Sequence, residues 1–169
     1  HISKYNNISR GYLPSYCSSA VAEHATLLWM SLLKKLPQQI KQWKAFNRNN
    51  LTCKEFGINK KMLVVGVGNI GYKVAKIADA LNIRVWGLDI VKKHDNINYI
   101  EQDDLIDTIQ DIDIVVCCMN LTEDNPNYFN YELLSHVKRG TLFINVSRGE
   151  LSNCSDLLRL LQEGILGGV

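Results

Sequence analysis

Short apolar runs alternate with amphipathic segments through most of the chain. The predicted strands cover 61–65, 82–89, 97–100, 112–119 and 141–146. The run at 112–119 is continuous, as in a strand that a parallel sheet buries on both faces. Apolar residues at helical spacing predict helices between the runs, over 72–81, 103–109, 131–137 and 153–164. Because strands and helices alternate, the pattern predicts an α/β fold with a doubly wound parallel sheet and right-handed crossovers.

One amphipathic helix is predicted ahead of the first strand, over 18–36. Its N-cap is expected at Ser18 or Ser19, and Pro37 is expected to interrupt it before a second short helical piece containing Trp43. Since no strand precedes this helix, it is not a crossover of the sheet. We expect it to pack on the outside of the fold, on another domain or on a second subunit. Residues 1–17 are polar and irregular, which is typical of a crossing segment.

The first apolar run leads directly into a glycine-rich turn and then into a helix. The turn, Gly66-Val67-Gly68-Asn69-Ile70-Gly71, has the strand, turn and helix order of a dinucleotide-binding fold of Rossmann type. In this pattern Gly66 allows the tight turn, Gly68 lets the backbone approach a pyrophosphate, and Gly71 allows close packing of helix on strand. Asp89 lies about 20 residues further on, where a carboxylate bonds the ribose hydroxyls. A carboxylate there repels a 2′-phosphate, so we expect NAD rather than NADP.

The composition excludes several classes of ligand. With 46% hydrophobic and 21% charged residues, the chain is typical of one globular domain with a sizeable core. The formal net charge of +2 is too small to indicate a nucleic acid or an anionic membrane as partner, and no apolar run reaches the roughly 18 residues that span a bilayer. The five cysteines form no Cys-x-x-Cys pair and match no histidine spacing, so no metal site or disulfide framework is predicted and a cytoplasmic location is expected.

The ends of the chain indicate a piece of a longer polypeptide. The first residue is His1 rather than methionine, and the closing Gly167-Gly168-Val169 looks like the start of another strand. We therefore expect 1–17 to cross from a substrate domain outside this sequence. Residues 18–169 are expected to form the dinucleotide-binding domain, truncated at its C-terminal end.

Catalytic candidates should lie where the strands end, because open parallel sheets bind ligands outside the carboxyl ends of their strands. Four segments are expected to meet there: 66–71, Asp89, 119–122 and 146–149. Only the last carries a side chain suited to catalysis, since the planar guanidinium of Arg148 can hold a carboxylate or polarise a carbonyl. The alternative interpretation of Arg148 is a structural ion pair near the surface. Lys92 and Lys93 weigh slightly against NAD, although lysines in a loop are usually only solvated.

The remaining polar and aromatic candidates are interpreted as structural. The histidines have no partner identifiable by spacing, and the two thiols inside an apolar run are expected to be buried and inert. The aspartates of the 103–109 segment are expected to form a solvated helix face, and three aromatic residues to pack in the core or at an interface. These residues are His24, His94 and His136; Cys117 and Cys118; Asp103, Asp104 and Asp107; and Tyr12, Tyr16 and Trp29.

Several motifs together resemble the cofactor-binding domain of the D-isomer-specific 2-hydroxyacid dehydrogenases, a family that includes formate and phosphite dehydrogenases. The similar segments are 20–25 in the leading helix, the glycine turn, Asp89, Leu121-Thr122, the element 144–149 (Ile-Asn-Val-Ser-Arg-Gly) and the closing 167–169. The Asn-x-Ser-Arg-Gly element together with the Ala-Glu-His helix is far more specific than the glycine turn alone. The resemblance covers nearly the whole chain, from Gly11 to its end.

The resemblance implies an oxidoreductase that transfers a hydride between NAD(H) and a small 2-hydroxy or 2-keto acid. It implies that Arg148 binds the substrate and that the leading helix builds a homodimer. The glycine turn, Asp89 and the resemblance together assign these positions to the cofactor: Gly66, Gly68, Asn69, Ile70, Gly71, Asp89, Met119, Asn120, Thr122, Val146, Ser147 and Arg148. The family's general-acid histidine and its glutamate lie beyond the position of Val169, so the chain alone is expected to be inactive.

The sequence departs from this family at two positions and leaves other functions open. The family commonly has proline before Leu-Thr, where this chain has Asn120, and an aspartate-capped helix after Arg-Gly, where it has Ser152-Asn153. One alternative is an NAD(H)-sensing, corepressor-like protein of the same family, and another is formate or phosphite oxidation. An unrelated Rossmann dehydrogenase or a methyl-transfer protein is disfavoured by the element around Arg148.

Overall fold

The structure, a computed structural model, describes residues 11, 13, 16–45, 57 and 59–169. Its strands are β1 Lys61–Val65, β2 Arg84–Leu88, β3 Asn98–Tyr99, β4 Ile114–Cys117, β5 Thr141–Asn145 and β6 Leu166–Gly168. They form one parallel sheet in the order β3-β2-β1-β4-β5-β6. Successive strands are added on one side of β1 up to β3 and on its other side from β4 onward, so the strand order reverses between β1 and β4. The predicted doubly wound parallel sheet is thereby confirmed. Tyr12, Cys53 and most of the predicted crossing segment lie outside the described residues.

Helices cover both faces of the sheet. They are α1 Ser18–Leu33, α2 Leu36–Lys41, α3 Asn69–Ala80, α4 Leu105–Ile109, α5 Tyr131–Leu134 and α6 Cys154–Gln162, with short 3-10 turns at Gln102–Asp104 and Gly149–Leu151. Helices α1 and α3 cover one face of the sheet, and one core cluster lies between them and the sheet, around Trp29 and Val64. The other lies on the opposite face, under α4, α5 and α6, around Leu63 and Phe143. Successive β1 residues enter opposite clusters, which explains why its last four residues are all apolar. None of the helices in the described ranges is long and apolar enough to cross a membrane.

The leading helix α1 completes the layer on one face of the sheet. It contacts α3 and β5, and its Ala22, Ala25 and Trp29 are fully buried. Since α5 and α6 pack on the opposite face, α1 covers the part of β5 that they leave open. The helix thus packs on its own sheet, and its packing on another domain or on a second subunit stays a prediction.

The ends of α1 differ from the sequence prediction. Its N-cap is Cys17, without a side-chain cap bond, and Ser18 is already its first helical residue, so the prediction of Ser18 or Ser19 as N-cap is wrong. The helix ends at Leu33, ahead of Pro37, because Lys35 adopts a left-handed conformation with φ 54°. Pro37 then lies in the first turn of α2, where its missing N–H removes no helical hydrogen bond.

An ion cluster lies at the amino ends of the strands, at the edge of the sheet opposite the predicted site. Asp113, just before β4, accepts hydrogen bonds from Lys61 N at 2.9 Å and Lys138 Nζ at 2.8 Å, and Lys60 Nζ is 3.5 Å away. Burial acts to raise the pKa of Asp113. The bonds from Lys138 and from the Lys61 backbone, with the charge of Lys60, outweigh burial and hold that pKa below its usual value.

Candidate functional site

The carboxyl ends of four neighbouring strands meet at one edge of the sheet. Val65 of β1 pairs with Leu88 of β2 and with Cys117 of β4, and Cys117 pairs in turn with Asn145 of β5. The segments that follow these positions are the glycine turn, Asp89, 119–122 and 146–149. All four predicted segments therefore lie side by side where the strand order reverses, which is where open parallel sheets bind ligands.

Two glycines of the turn are required by close contacts of the backbone. Gly66 has a φ of +89°, and a Cβ built on it would lie 2.4 Å from the backbone N of Met119. A Cβ on Gly71 would lie 2.0 Å from the carbonyl O of Gly66, so only glycine lets α3 approach β1 this closely. The N–H of Gly66 also donates to the carbonyl of Leu88 at 2.8 Å, which ties the turn to β2.

Gly68 differs from these two glycines because its Cβ position faces open space, with no atom within 4 Å. It is the N-cap of α3 and has no side chain to bond the first N–H groups of that helix. The N-terminus of a 12-residue helix offers backbone N–H groups and a positive dipole end to an anion. A phosphate group can therefore approach the backbone beside Gly68.

Two backbone N–H groups fix the carboxylate of Asp89. Its Oδ2 accepts a hydrogen bond from Val67 N at 2.6 Å, and its Oδ1 accepts one from Val91 N at 3.0 Å. Because a carboxylate has about four lone-pair positions, both oxygens retain capacity for the hydroxyls of a ribose. The bond to Val67 joins Asp89 to the glycine turn, a contact that sequence spacing does not reveal.

The loop after β4 is closed by Asn125, a residue that sequence reasoning missed. Its Oδ1 accepts from Thr122 N at 2.7 Å, and its Nδ2 donates to the carbonyl O of Asn120 at 2.9 Å. Side-chain amides commonly close polar loops in this way. The segment 120–127 holds three asparagines, and the sequence does not show which of them closes the loop.

The turn after β5 is held to the neighbouring strand and to itself. Val146 N donates to the carbonyl of Cys117 at 3.2 Å, and the hydroxyl of Ser147 donates to the carbonyl of Met119. The side-chain amide of Asn145 bonds the backbone of both Ser147 and Arg148. The Ser-Arg element is therefore a tied turn beside the loop that carries Met119.

The guanidinium of Arg148 is exposed at this edge. Its hydrogen bond within the described residues runs from Nη1 to the adjacent carbonyl of Ser147, at 3.2 Å. The ion pairs found in the described part of the chain involve other cations. The interpretation of Arg148 as a structural ion pair thus finds no partner there, and its planar fork is available to a ligand carboxylate.

The histidine, aspartate and aromatic candidates differ in exposure and in their contacts. His24 and His136 are exposed, and His94 stacks on Tyr72 with ring centroids 3.7 Å apart and an interplanar angle of 9°. Trp29 is core, whereas Tyr16 is exposed in this chain. The three aspartates, Asp103, Asp104 and Asp107, are exposed as expected. Within the described ranges, no cluster of histidine, cysteine or acidic residues could hold a metal ion.

Cys117 in β4 is buried, and Cys118, the residue after the strand, is partly buried. Removal from water raises the pKa of Cys117 to about 11, and burial together with the neighbouring Cys117 raises the pKa of Cys118 to about 12. Since the thiolate is the reactive form, both groups are poor nucleophiles at neutral pH. This agrees with the interpretation of these cysteines as structural.

Comparison with known proteins places the chain in a family. Residues 26–169 match the model of the D-isomer specific 2-hydroxyacid dehydrogenase, NAD binding domain. The chain belongs to this family. A D-lactate dehydrogenase from Staphylococcus epidermidis is 26% identical over 171 residues, which cover 99% of this chain and 51% of that protein. The 2-hydroxyacid dehydrogenase A of Aspergillus oryzae is 34% identical over 164 residues, which cover 93% of this chain and 46% of that protein.

The fold of this NAD-binding domain is also that of solved dehydrogenases. The structure of D-lactate dehydrogenase from Aquifex aeolicus, complexed with NAD and lactic acid, superposes with a TM-score of 0.81 at 25% sequence identity. The superposition covers 92% of this chain and 48% of that one. The chain therefore spans about half the length of the relatives that it matches.

The residues at the strand edge fit the cofactor of this domain. The open space beside Gly68 and the N-terminus of α3 suit a pyrophosphate. The spare acceptor capacity of Asp89, joined to the same turn through Val67, suits the adjoining ribose. Which atoms of the chain touch NAD stays a prediction, made from the sequence pattern and this geometry.

Proposed function

We propose that residues 18–169 are the cofactor-binding domain of an NAD-dependent oxidoreductase of the D-2-hydroxyacid dehydrogenase type. It would transfer a hydride between NAD(H) and a 2-hydroxy or 2-keto acid. The observation that carries the proposal is the exposed guanidinium of Arg148, without an ion-pair partner in the described residues and on the same sheet edge as the glycine turn. A protein that only senses NAD(H) has no need of a carboxylate clamp there, which favours an enzyme. Corepressor-like members of the family retain this arginine, so the assay of turnover decides between the two functions.

Each part of the edge has a separate task in this proposal. The N–H groups beside Gly68 hold the pyrophosphate, and Asp89 bonds the ribose and disfavours a 2′-phosphate. Bound NAD(H) supplies the hydride acceptor or donor. Arg148 holds the carboxylate of the acid and stabilises the charge that develops on its 2-oxygen. The proton of that oxygen is assigned to the family's histidine, whose position lies beyond Val169.

The other predicted cofactor residues are assigned to parts of the same proposed site. We assign Asn69 and Ile70 to the pyrophosphate because they form the first turn of α3. Met119, Asn120 and Thr122 are assigned to the adenosine half, and Val146 and Ser147 to the nicotinamide side. The bond from the Ser147 hydroxyl to the Met119 carbonyl joins the loop after β4 to the turn after β5.

The test compares Arg148→Ala with Arg84→Ala in the full-length protein, using NADH and a panel of 2-keto acids. Loss of Arg148 should lower kcat/KM by about 10²–10³-fold, roughly 3–4 kcal/mol of transition-state stabilisation. The NADH dissociation constant should stay within about threefold, because the proposed pyrophosphate and ribose contacts remain and a contact of Arg148 with the cofactor adds little to them. Arg84 is exposed at the first residue of β2, at the opposite edge of the sheet, so its loss should leave both quantities unchanged.

Two outcomes would contradict the proposal in different ways. A wild-type protein that binds NADH but turns over neither 2-keto acids nor formate nor phosphite would favour the NAD(H)-sensing, corepressor-like function. A wild-type enzyme that is active, but that Arg148→Ala leaves active, would keep the oxidoreductase and reject the assignment of Arg148.

We further propose a homodimer through the 18–36 region. One face of α1 is buried in its own domain, whereas Leu27 and Leu36 are 56% and 41% exposed, and a partner subunit would cover them. Leu27→Glu in the full-length protein should therefore raise the monomer fraction in sedimentation experiments. Leu81→Glu, on a leucine 40% exposed after α3, is the matched control. An unchanged sedimentation coefficient for Leu27→Glu would reject this interface. A cytoplasmic location is proposed from the cysteine pattern alone.

A further inference from the structure

The side chain of Asn145 forms the densest set of hydrogen bonds near the predicted catalytic arginine. Asn145 is the last residue of β5. Its Oδ1 accepts from the N–H of Ser147 at 2.9 Å, and its Nδ2 donates to the carbonyl of Arg148 at 2.8 Å. Nδ2 also lies 3.3 Å from the Oγ of Ser152, at the far side of the turn. One amide therefore bonds the backbone before and after the Cα of Arg148.

The direction of the Arg148 side chain depends on this backbone. The guanidinium is exposed, and its hydrogen bond in the described residues goes to the adjacent Ser147 carbonyl, which belongs to the same turn. The turn is joined to the loop after β4 through the Ser147 hydroxyl and the Met119 carbonyl. A long, solvated side chain on a loose turn would sample many directions, and a displacement of about 1 Å at a reacting centre can reduce a rate about 10²-fold.

We propose that Asn145 is a positioning residue that acts through Arg148, an inference that rests on the proposed function. Its amide holds the turn so that the guanidinium faces the substrate space beside the glycine turn. The role needs both an acceptor and a donor on one short side chain, which asparagine supplies. Aspartate keeps the acceptor for the Ser147 N–H but cannot donate to the Arg148 carbonyl, and alanine does neither.

A double-mutant cycle in the full-length protein tests this role, with NADH and the best 2-keto acid of the panel. Asn145→Ala should lower kcat/KM by about 10–100-fold, while the NADH dissociation constant changes by less than about threefold. In an Arg148→Ala background, Asn145→Ala should lower kcat/KM by no more than about threefold further, because the group it positions is gone. Asn145→Asp should behave like Asn145→Ala in both backgrounds, and it provides the same cycle if the alanine variant does not fold.

Asn130→Ala is the matched control for the loss of an asparagine amide. Asn130 caps α5 by accepting a hydrogen bond from Leu133 N at 2.9 Å, and it makes no bond to the turn 146–149 that carries Arg148. The Asn130→Ala variant should keep kcat/KM within about threefold of the wild-type value, although the substitution weakens a helix cap. Equal losses from Asn130→Ala and Asn145→Ala would point to general destabilisation and overturn the inference.

Other results separate the inference from the proposed function. Additive losses in the cycle, or a fully active Asn145→Ala variant, would overturn the positioning role while the activity of the wild type stands. Absence of turnover in the wild type would instead refute the proposed function. Full activity of Arg148→Ala would remove the group through which Asn145 is proposed to act, and the inference with it.

Discussion

Alanine at Gly68 and alanine at Gly71 should affect different properties of the domain. Gly71→Ala should lower the folding stability, whereas Gly68→Ala should weaken cofactor binding. A Cβ on Gly71 would lie 2.0 Å from the carbonyl O of Gly66 and 3.0 Å from Cγ1 of Val64. An ordinary C···O contact is about 3.3 Å, so α3 would have to move away from β1 by the difference, about 1.3 Å. Overpacking of this kind costs about 1–3 kcal/mol. Because the neighbour is backbone and cannot rotate away, we expect a loss of about 3 kcal/mol in the free energy of unfolding.

Gly68→Ala adds the same methyl group where no atom lies within 4 Å. The free energy of unfolding should therefore change by about 0.5 kcal/mol or less. The methyl group enters the space proposed for the pyrophosphate, and it should raise the NADH dissociation constant about 30-fold, roughly 2 kcal/mol. Each variant thus controls for the other, since both replace a glycine of one turn by alanine.

Two measurements on the full-length protein distinguish these effects. Urea unfolding reports the change in stability through the midpoint at an unchanged m value, and titration of NADH fluorescence reports the dissociation constant. Wild-type NADH affinity in Gly68→Ala would show that the pyrophosphate does not approach the backbone at this residue. Wild-type stability in Gly71→Ala would contradict the close contact between α3 and Gly66.

Three further predictions concern charged and thiol groups. Asp113→Asn should lower the free energy of unfolding by about 1–2 kcal/mol at pH 7. The pKa of Asp113 is lower in the folded than in the unfolded protein, so its stabilising contribution is fully present above the unfolded pKa of about 3.9 and is lost as the pH falls through the folded pKa. Urea unfolding at pH 3 should therefore show a smaller difference in stability between the wild type and Asp113→Asn. In alkylation at pH 8 followed by mass spectrometry, exposed Cys154 should react in the folded protein, while Cys117 and Cys118 should react only after unfolding; early labelling of the latter two would contradict their raised pKa values. Asp89→Asn should weaken NADH binding by roughly 1.5–3 kcal/mol and narrow the preference over NADPH, and an unchanged NADH to NADPH ratio would reject its role at the ribose.

Local patterns were sufficient to predict the frame of this domain. The apolar runs of β1 and β4 have no polar interruption because both faces of these strands are buried, and that demand acts on every residue in turn. The glycine turn is equally local, since the φ of Gly66 and the contact of Gly71 leave a trace in the residue types themselves. Such features are readable from the sequence because each residue carries its own part of the constraint.

Local patterns were less informative where the constraint comes from elsewhere in the chain. The break after α1 is set by the left-handed Lys35 and not by Pro37, which the first turn of α2 accommodates. The face of the sheet that α1 covers depends on which face the crossovers after β4 and β5 use. The spacing of apolar residues within α1 predicts neither the end of the helix nor the face of the sheet that it covers.

The fold class, the cofactor type and the residues that follow each strand could be predicted from the sequence, because they depend on periodicity and on turn chemistry within short segments. The groups that hold those residues in place became visible only in the folded chain. Asp89 reaches the Val67 N–H 22 positions away, and Ser147 reaches Met119 28 positions away. Even the short-range tie from Asn145 to Arg148 is visible only once β5 has ended beside β4. A side-chain hydrogen bond depends on direction and distance in the folded chain, and residue type alone leaves both open.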